Sequence, residues 1–252
     1  MQDSAGKQDI AYIFDVDGTI TPSRSYIDRQ FASWFRDFAF NNNVYLVTGS
    51  DKPKTVQQIG NSLYCLCQRV YNCNGSEVWE GDNLVHKYII EKSPQLDSLY
   101  RDMFKILDFS PYPVRTGNHM ENRDCMINFS ILGRGSNLEQ RNEYIKYDTM
   151  FKERERISKQ LTELHGDHFE FMVAGDIGID IVEKGKNKSQ ILKDFDNMYV
   201  KFFGDKVYEG GNDYPLKHAL MERGYGVTYP VNSFNDTWSI LKNDSGKDLG
   251  LD

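Results

Sequence analysis

The fold is decided by Ile10-Ala11-Tyr12-Ile13-Phe14-Asp15-Val16-Asp17-Gly18-Thr19. Five apolar residues run without a polar interruption and stop at Asp15. Such a run, bounded by turn residues, predicts a strand buried on both faces, as in a parallel sheet. Ligands of parallel sheets bind outside the carboxyl ends of the strands, which is where the acidic pair falls. Asp15 and Asp17, two apart, point to the same side if the strand geometry persists. Together they can hold a divalent cation and attack an electrophile. Gly18-Thr19 allows a sharp turn and offers backbone N–H groups to an anion. A solvated strand-end turn is the plainer reading of an Asp-x-Asp motif alone, and the flanking Tyr12-Ile13-Phe14 and Gly18-Thr19-Ile20-Thr21 weigh against it.

Reading outward, Ile27, Phe31, Trp34, Phe35 and Phe38 have helical spacing. Val44 to Val47 is a second apolar run, ending in Thr48-Gly49-Ser50, and residues 53–67 predict a helix with Pro53 in its first turn. Val70-Tyr71 leads to a turn at Asn74-Gly75. Strand, helix, strand, helix, strand is the pattern of a parallel sheet flanked by helices. The middle differs. A hairpin is predicted around Glu80-Gly81-Asp82-Asn83, a helix over 94–107, and a long charged helix or pair of helices over 137–164. Cys125 to Ile131 alternates apolar and polar residues, which predicts a half-exposed antiparallel strand. Phe169–Val173 and Ile177–Val182 predict two more strands. The first pattern then resumes with a helix over 189–196, an apolar strand at Val200–Phe203, a helix over 214–222, a short strand at Gly226–Tyr229 and a last helix over 234–242. The expected organisation is an α/β core of residues 1–79 and 184–252, carrying an inserted α+β unit of residues 80–183.

Composition excludes several classes. The chain has 252 residues, 39% of them hydrophobic, 27 glycines and prolines together, and a formal net charge of −7. It is long enough for a real core and is neither disordered nor collagen-like. No window holds 18 uninterrupted apolar residues, so no membrane-spanning helix is expected. Met1 to Gln8 is polar and lacks the apolar stretch of a signal peptide. The acidic total disfavours bulk nucleic-acid binding, which needs clustered Lys and Arg. The four cysteines form no CxxC pair and have no His at zinc spacing. Cys65 and Cys67 are expected to be buried small apolar residues, with neither metal nor disulfide, in a reducing cytosolic setting.

Further candidates fall at other strand ends. Thr48 ends the second strand, where its hydroxyl can bind a phosphoryl oxygen; a helix cap by Ser50 or Asp51 is the alternative use of that turn. Lys188 opens a helix after Gly185 and can neutralise charge between a phosphoryl group and carboxylates. Any one of Lys184, Lys186 and Lys188 by itself reads equally as a solvated charge. Asp205, after Gly204, is placed to be a third metal carboxylate, and Asn212 and Asp213, after Gly210-Gly211, to tie the loop together.

With these residues the chain resembles the haloacid-dehalogenase superfamily of phosphotransferases: Asp15-Val16-Asp17-Gly18-Thr19, Thr48-Gly49-Ser50, Lys188, and Gly204-Asp205 with Gly211-Asn212-Asp213. The insertion falls between the second and third motifs, as in members with the larger α+β cap (type C2) on a Rossmann-like core. Over roughly residues 10–242 it resembles, more narrowly, the eukaryotic-type phosphomannomutases. The carrying stretches are Phe14 to Thr21 with Arg24, Gly49-Ser50-Asp51, Asn74-Gly75, Arg123 with Met126 and Asn128, Gly133-Arg134, Arg141, Asp180, and Phe202 to Asp213.

The resemblance implies roles. Asp15 would be the nucleophile that becomes an aspartyl-phosphate and Asp17 the acid/base for the sugar hydroxyl, both facing Mg²⁺ with Asp205. Arg24, Arg123, Arg134 and Arg141 would hold the sugar and its distal phosphate, with Gly178 and Asp180 at the sugar hydroxyls. Each arginine alone reads as a surface residue, but guanidinium is always charged and grips phosphate bidentately, so several can converge on one dianion. The family implies a hexose phosphate substrate, a hexose 1,6-bisphosphate activator, a homodimer formed through the cap, and a cytoplasmic enzyme. The chain departs from the family at Thr48 (usually Gly), Gly178 (usually Ser), Asp176 (usually an amide) and Gly185-Lys186-Asn187 (usually Gly-Trp-Asp). A phosphomannomutase is the expectation, with a sugar-phosphate phosphatase of the same core chemistry as the rival. A non-catalytic phosphosugar-binding module would have no use for the nucleophile and acid pair.

Overall fold

A computed structural model of the protein describes residues 9–22 and 25–247. Ile10–Phe14 forms β1, and it is central because it can be buried on both faces. It pairs in parallel with β2 (Asn43–Val47) and with β10 (Tyr199–Gly204), so that Phe14 lies between Leu46 and Phe203. With β3 (Arg69–Asn72), β4 (Glu77–Glu80), β5 (Asn83–Lys87) and β11 (Gly226–Pro230), the order is β11-β10-β1-β2-β3-β4-β5. β1, β2, β3, β10 and β11 are parallel; β4 runs antiparallel to β3, and β5 antiparallel to β4.

The period of two in β1 feeds two cores. Tyr12 and Phe14 pack with Phe31, Phe35 and Phe38 of α1 (Arg29–Asn41) on one face. Ala11 and Ile13 pack on the other with Phe195, Leu216 and Leu220, the last two from α7 (Tyr214–Arg223). Rings stack across neighbouring strands, Phe14 on Phe203 at 4.8 Å and Phe203 on Tyr229 at 4.7 Å between centroids. Full burial of one such phenyl group is worth about 1.5–3 kcal/mol, which makes β1 the least replaceable strand. Asp28 caps α1 by accepting from the Gln30 and Phe31 amides.

The second sheet has the order β6-β7-β9-β8 and is antiparallel: β6 (Met120–Asn122), β7 (Ile127–Phe129), β8 (Phe169–Ala174) and β9 (Gly178–Glu183). Ile127, Phe129, Phe171, Ile179 and Ile181 pack on one face with residues of α4 (Pro94–Phe109), α5 (Leu138–Phe151) and α6 (Glu153–His165). The opposite face, with Asn128, Met172 and Asp180 in register, is turned toward the first sheet and is also buried. The expected half-exposed strand over 125–131 is thereby corrected to a three-residue strand covered on both sides. Its polar positions meet other protein groups instead of solvent.

Other expectations change locally. The helix predicted over 53–67 is divided into α2 (Lys52–Ile59) and α3 (Asn61–Leu66) at Gly60, whose φ of 82° ends the first segment. Asp51 caps α2 through the Lys54 amide. The charged stretch 137–164 is two helices, α5 and α6, parted at left-handed Lys152. The helix after Gly185 is a 3-10 segment, Lys188–Phe195. The expected division at residue 80 does not coincide with a sheet edge, because β5 still pairs with β4 of the first sheet. Cys65 is exposed, against expectation, whereas Cys67 is buried; all four cysteines are free thiols. α8 (Phe234–Lys247) closes the chain against α1 through Trp238, Trp34 and Phe31.

Candidate active site

The loop leaving β1 is shaped by its backbone. Asp15 N–H donates to Phe203 O at 2.9 Å, extending the ladder one residue past the strand. The chain then turns at Gly18, φ 89°, with Gly18 N–H to Thr21 O at 2.8 Å and Thr21 N–H to Val16 O at 3.0 Å. Thr237 of α8 secures the turn by donating its hydroxyl to Thr19 O at 2.7 Å. A Cβ at Gly18 would lie 2.5 Å from Asp205 Oδ2, so glycine here lets the two loops approach.

Asp15 is 4% exposed and faces Lys188, whose Nζ is 2.6 Å from Asp15 Oδ1 and 2.7 Å from Asp213 Oδ1. Lys188 is fully buried; burial opposes its charge, but the two carboxylates outweigh that and push its pKa up. Burial pushes the Asp15 carboxyl well above the usual range; Lys188 counters this, while Asp213 and Asp205 add to it. Asp205 is pushed up to about 6 by burial first and by Asp213 second. Oxygens of Asp15, Asp205 and Asp213 lie within 4.8 Å of one another.

Asp213 has a supporting task. Besides Lys188, it accepts from the Lys206 amide at 3.0 Å, and it fills the space over Gly204, where a Cβ would come within 2.8 Å of it. That leaves Asp15 and Asp205 to offer oxygens to a cation. Hard oxygen donors, carboxyls crowded together in a buried site, and a cleft for phosphoryl oxygens fit Mg²⁺, which takes one or two carboxylates plus phosphate. Asp17 differs from expectation. Its carboxylate turns to α2, accepting from Gln58 Nε2 at 2.8 Å, with Lys54 Nζ at 3.3 Å and Ser50 Oγ at 3.4 Å. Asp17 lines the same cavity as Asp15, but its side chain is outside the acidic trio.

Thr48 follows β2, and its hydroxyl oxygen accepts from Ser50 N–H at 3.1 Å, which leaves the hydroxyl proton available to a phosphoryl oxygen. From the second sheet, Arg123 crosses the seam, donating from Nη1 to Gly49 O at 2.8 Å and from Nη2 to Glu121 at 2.7 Å. Arg134 pairs through Nε with the same Glu121 carboxylate at 3.0 Å and donates from Nη2 to Asn128 Oδ1. Asn128 in turn donates to Asp180 Oδ1 at 2.6 Å. Burial raises the Asp180 pKa, and Arg123 partly offsets it. Gly178 backs onto Asn128: a Cβ there would fall 2.7 Å from the amide.

These groups enclose a cavity of about 50 Å³ between the two sheets, lined among others by Asp15, Thr48, Arg134, Asp180, Asp205 and Asn212. It continues to a wider depression of about 460 Å³ through Lys54, Arg123 and Arg134, with Tyr26, Gln58 and Glu121 on its walls. Arg141 lies near the start of α5, donates from Nε to Ser136 O at 3.3 Å, and lines neither space. Arg24 lies outside the described residues.

Sequence reasoning missed Lys54, Gln58 and Asn128 as site groups. Lys54 and Gln58 are four apart on a helix that begins at the carboxyl end of β2, a spacing that puts both on the face over the strand ends. Asn128 was legible as the polar side of an alternating strand, but that side was assigned to solvent.

Known proteins were compared with the chain. The family model for eukaryotic phosphomannomutase matches residues 32–244. The phosphomannomutase of Galdieria sulphuraria is 31% identical over 90% of this chain and 92% of its own length. That of Spinacia oleracea is 30% identical over 94% and 98%. Among solved structures, a truncated, IMP-bound IMP-nucleotidase of Plasmodium falciparum superposes with a TM-score of 0.61 at 17% identity, covering 92% of this chain and 67% of that one. A haloacid dehalogenase-like hydrolase of Bacteroides thetaiotaomicron gives 0.54 at 11% identity, covering 92% and 98%. The structural likenesses show the fold, a haloacid-dehalogenase-type α/β core; with the match of sequence over most of its length, the chain belongs to the eukaryotic phosphomannomutase family.

Proposed function

We propose that this chain interconverts mannose 6-phosphate and mannose 1-phosphate by phosphoryl transfer through Asp15. The observation that carries this reading is the buried pair of Asp15 and Lys188 at 2.6 Å, beside a separately held Asp17, under a second sheet that brings Arg123 and Arg134 to the same cavity. Asp15 is the nucleophile: its oxygen forms the new bond to phosphorus as the phosphorus–sugar oxygen bond breaks. Asp17 gives its proton to the leaving sugar oxygen and takes one from the incoming hydroxyl in the second half-reaction. Gln58 and Lys54 fix its carboxylate for that task. Lys188, Thr48 and the Gly18-Thr19 turn face the phosphoryl oxygens. Asp15 and Asp205 would hold Mg²⁺, which when bound would supply positive charge to the transferring group. Asn212 and Asp213 hold the Asp205 loop.

Arg123 and Arg134 grip the distal phosphate, with Asp180 and Gly178 at the sugar hydroxyls; Arg24 and Arg141 complete the set in this reading. The inner cavity of about 50 Å³ is of a size for the phosphoryl group, and the adjoining depression of about 460 Å³ is of small-molecule size. In this reading the second sheet and its helices act as a cap that closes over the substrate to exclude water. A hexose 1,6-bisphosphate would prime Asp15 and be the intermediate that turns over. We place the enzyme in the cytosol; among the described residues no helix is long and apolar enough to cross a membrane. We also infer a homodimer through the cap helices, supported by exposed Phe109 of α4 and Leu164 of α6, which line one depression.

The test is incubation with Mg²⁺, mannose 1-phosphate and a catalytic amount of hexose bisphosphate. Mannose 6-phosphate without free phosphate supports a mutase. Stoichiometric free phosphate overturns it in favour of a phosphatase, for which Asp15 and Asp17 would serve equally.

A further inference from the structure

Five buried side chains form a small apolar cluster where the two sheets meet: Cys73, Cys125, Met126, Met172 and Val182. Cys73 follows β3 of the first sheet, whereas Cys125 precedes β7 of the second. Both thiols are fully buried, and their neighbours are in contact across the same seam, Asn74 Nδ2 lying 3.8 Å from Met126 Sδ. Each thiol sits on a constrained backbone. Cys73 has φ 49° and donates its amide to Ser50 O at 3.1 Å; Cys125 donates its amide to Arg123 O at 2.7 Å, and its sulfur lies 3.3 Å from the same oxygen. The neighbouring Cys125 side chain, together with burial, pushes the Cys73 thiol up. Neither cysteine touches the phosphoryl chemistry.

We propose that Cys73 and Cys125 are a thiol-oxidation site, closed by a low-molecular-weight disulfide such as glutathione disulfide, whose product pins the second sheet against the first. The site reacts in two exchanges. When the seam opens, one thiol loses its proton and attacks glutathione disulfide; a protein–glutathione bond forms and one glutathione thiolate leaves. Closure then brings the second cysteine to that sulfur; the Cys73–Cys125 bond forms and the second glutathione leaves. Two cysteine thiols are oxidised, one glutathione disulfide is reduced to two glutathiones, and the two cysteine protons pass to the departing thiolates. Closed, both sulfurs are shielded by burial, so oxidation samples the open state. The new bond would fix the Arg123 loop on Gly49, over the cavity.

The effect on turnover rests on the mutase reading above; the cross-link does not. Wild-type protein is equilibrated in glutathione buffers of graded oxidation and mapped by mass spectrometry. The expected result is a species two hydrogens lighter, with a peptide joining Cys73 to Cys125, and slower exchange of the Val173 amide, which bonds Gly210 O across the seam at 2.8 Å. Mutase turnover should fall at least about tenfold, as for a population held in one conformation, and return with dithiothreitol. Cys73→Ser and Cys125→Ser should keep basal activity and lose the redox response; wild-type mapping stands even if either variant misfolds. Cys73 and Cys125 remaining thiols while exposed Cys65 is glutathionylated would overturn the site, as would a cross-link that leaves Val173 exchange unchanged. Absence of turnover in both redox states, with the cross-link and exchange shift present, would count against the mutase reading alone.

Discussion

Lys188→Met removes the one ammonium buried among the acidic residues and keeps a chain of similar length. Two charge-assisted hydrogen bonds are lost, at 2.6 and 2.7 Å, from a residue with no exposed surface. Removing one partner of a buried ion pair costs about 3–5 kcal/mol, because the charge left behind is neither paired nor hydrated. At about 2–4 °C per kcal/mol for a chain of this size, the Mg²⁺-free melting temperature should fall by roughly 6–20 °C. Circular dichroism on metal-free protein reads this directly. The discriminating variant is the double substitution Lys188→Met with Asp213→Asn. It removes a carboxylate that has lost its cation and keeps only the Lys206 amide, and it should recover at least about 1 kcal/mol of the loss, within the range expected for coupled neighbours. Activity should not recover with stability: kcat should stay at least about a hundredfold down in both variants, as when a preorganised donor is removed from a developing charge. A single variant that melts within about 2 °C of wild type would refute the reasoning, since no buried pair of this kind can be that cheap to break. So would a double variant less stable than the single one.

We predict further outcomes. Gln58→Leu removes the 2.8 Å donor to Asp17 and should lower kcat about tenfold or more with KM within about twofold, as for an acid left poorly aimed; a change confined to KM would show that Gln58 binds substrate instead. Gly178→Val places a side chain where Asn128 now lies, 2.7 Å from a new Cβ, and should raise KM for the hexose phosphate about tenfold while the melting temperature moves little; steady-state kinetics decide it. Cys65 is the one exposed thiol, while burial pushes Cys67 up to about 12, so a neutral-pH thiol reagent should titrate one cysteine in native, reduced protein and four after denaturation. Asp205→Asn should raise the Mg²⁺ concentration for half-maximal activity at least about tenfold without unfolding, read by metal titration; unchanged metal dependence would remove Asp205 from the cation site.

The chain itself declares the first sheet. Ile10 to Phe14 has no polar face to offer water, so it must lie inside a sheet covered on both sides, and Asp15 must then stand at the strand's open end. Thr48, Lys188 and Asp205 were legible for the same reason, each following an apolar run or a glycine turn. Spacing states which side of an element a residue occupies, but not what covers that side. Asn128 and Asp180 alternate as surface residues do, and only the approach of the first sheet makes their face an interior. Asp15 and Asp17 do line one cavity, but that the Asp17 carboxylate is held by Lys54 and Gln58 instead of joining the acidic trio could not be read from their spacing. Arg123 reaching Gly49, and Cys73 meeting Cys125 from far along the chain, depend on how two sheets dock, a long-range packing choice no local pattern encodes. Local periodicity thus determined the strands and the acidic loop, while the directions of the side chains that meet across the seam were settled by tertiary packing alone.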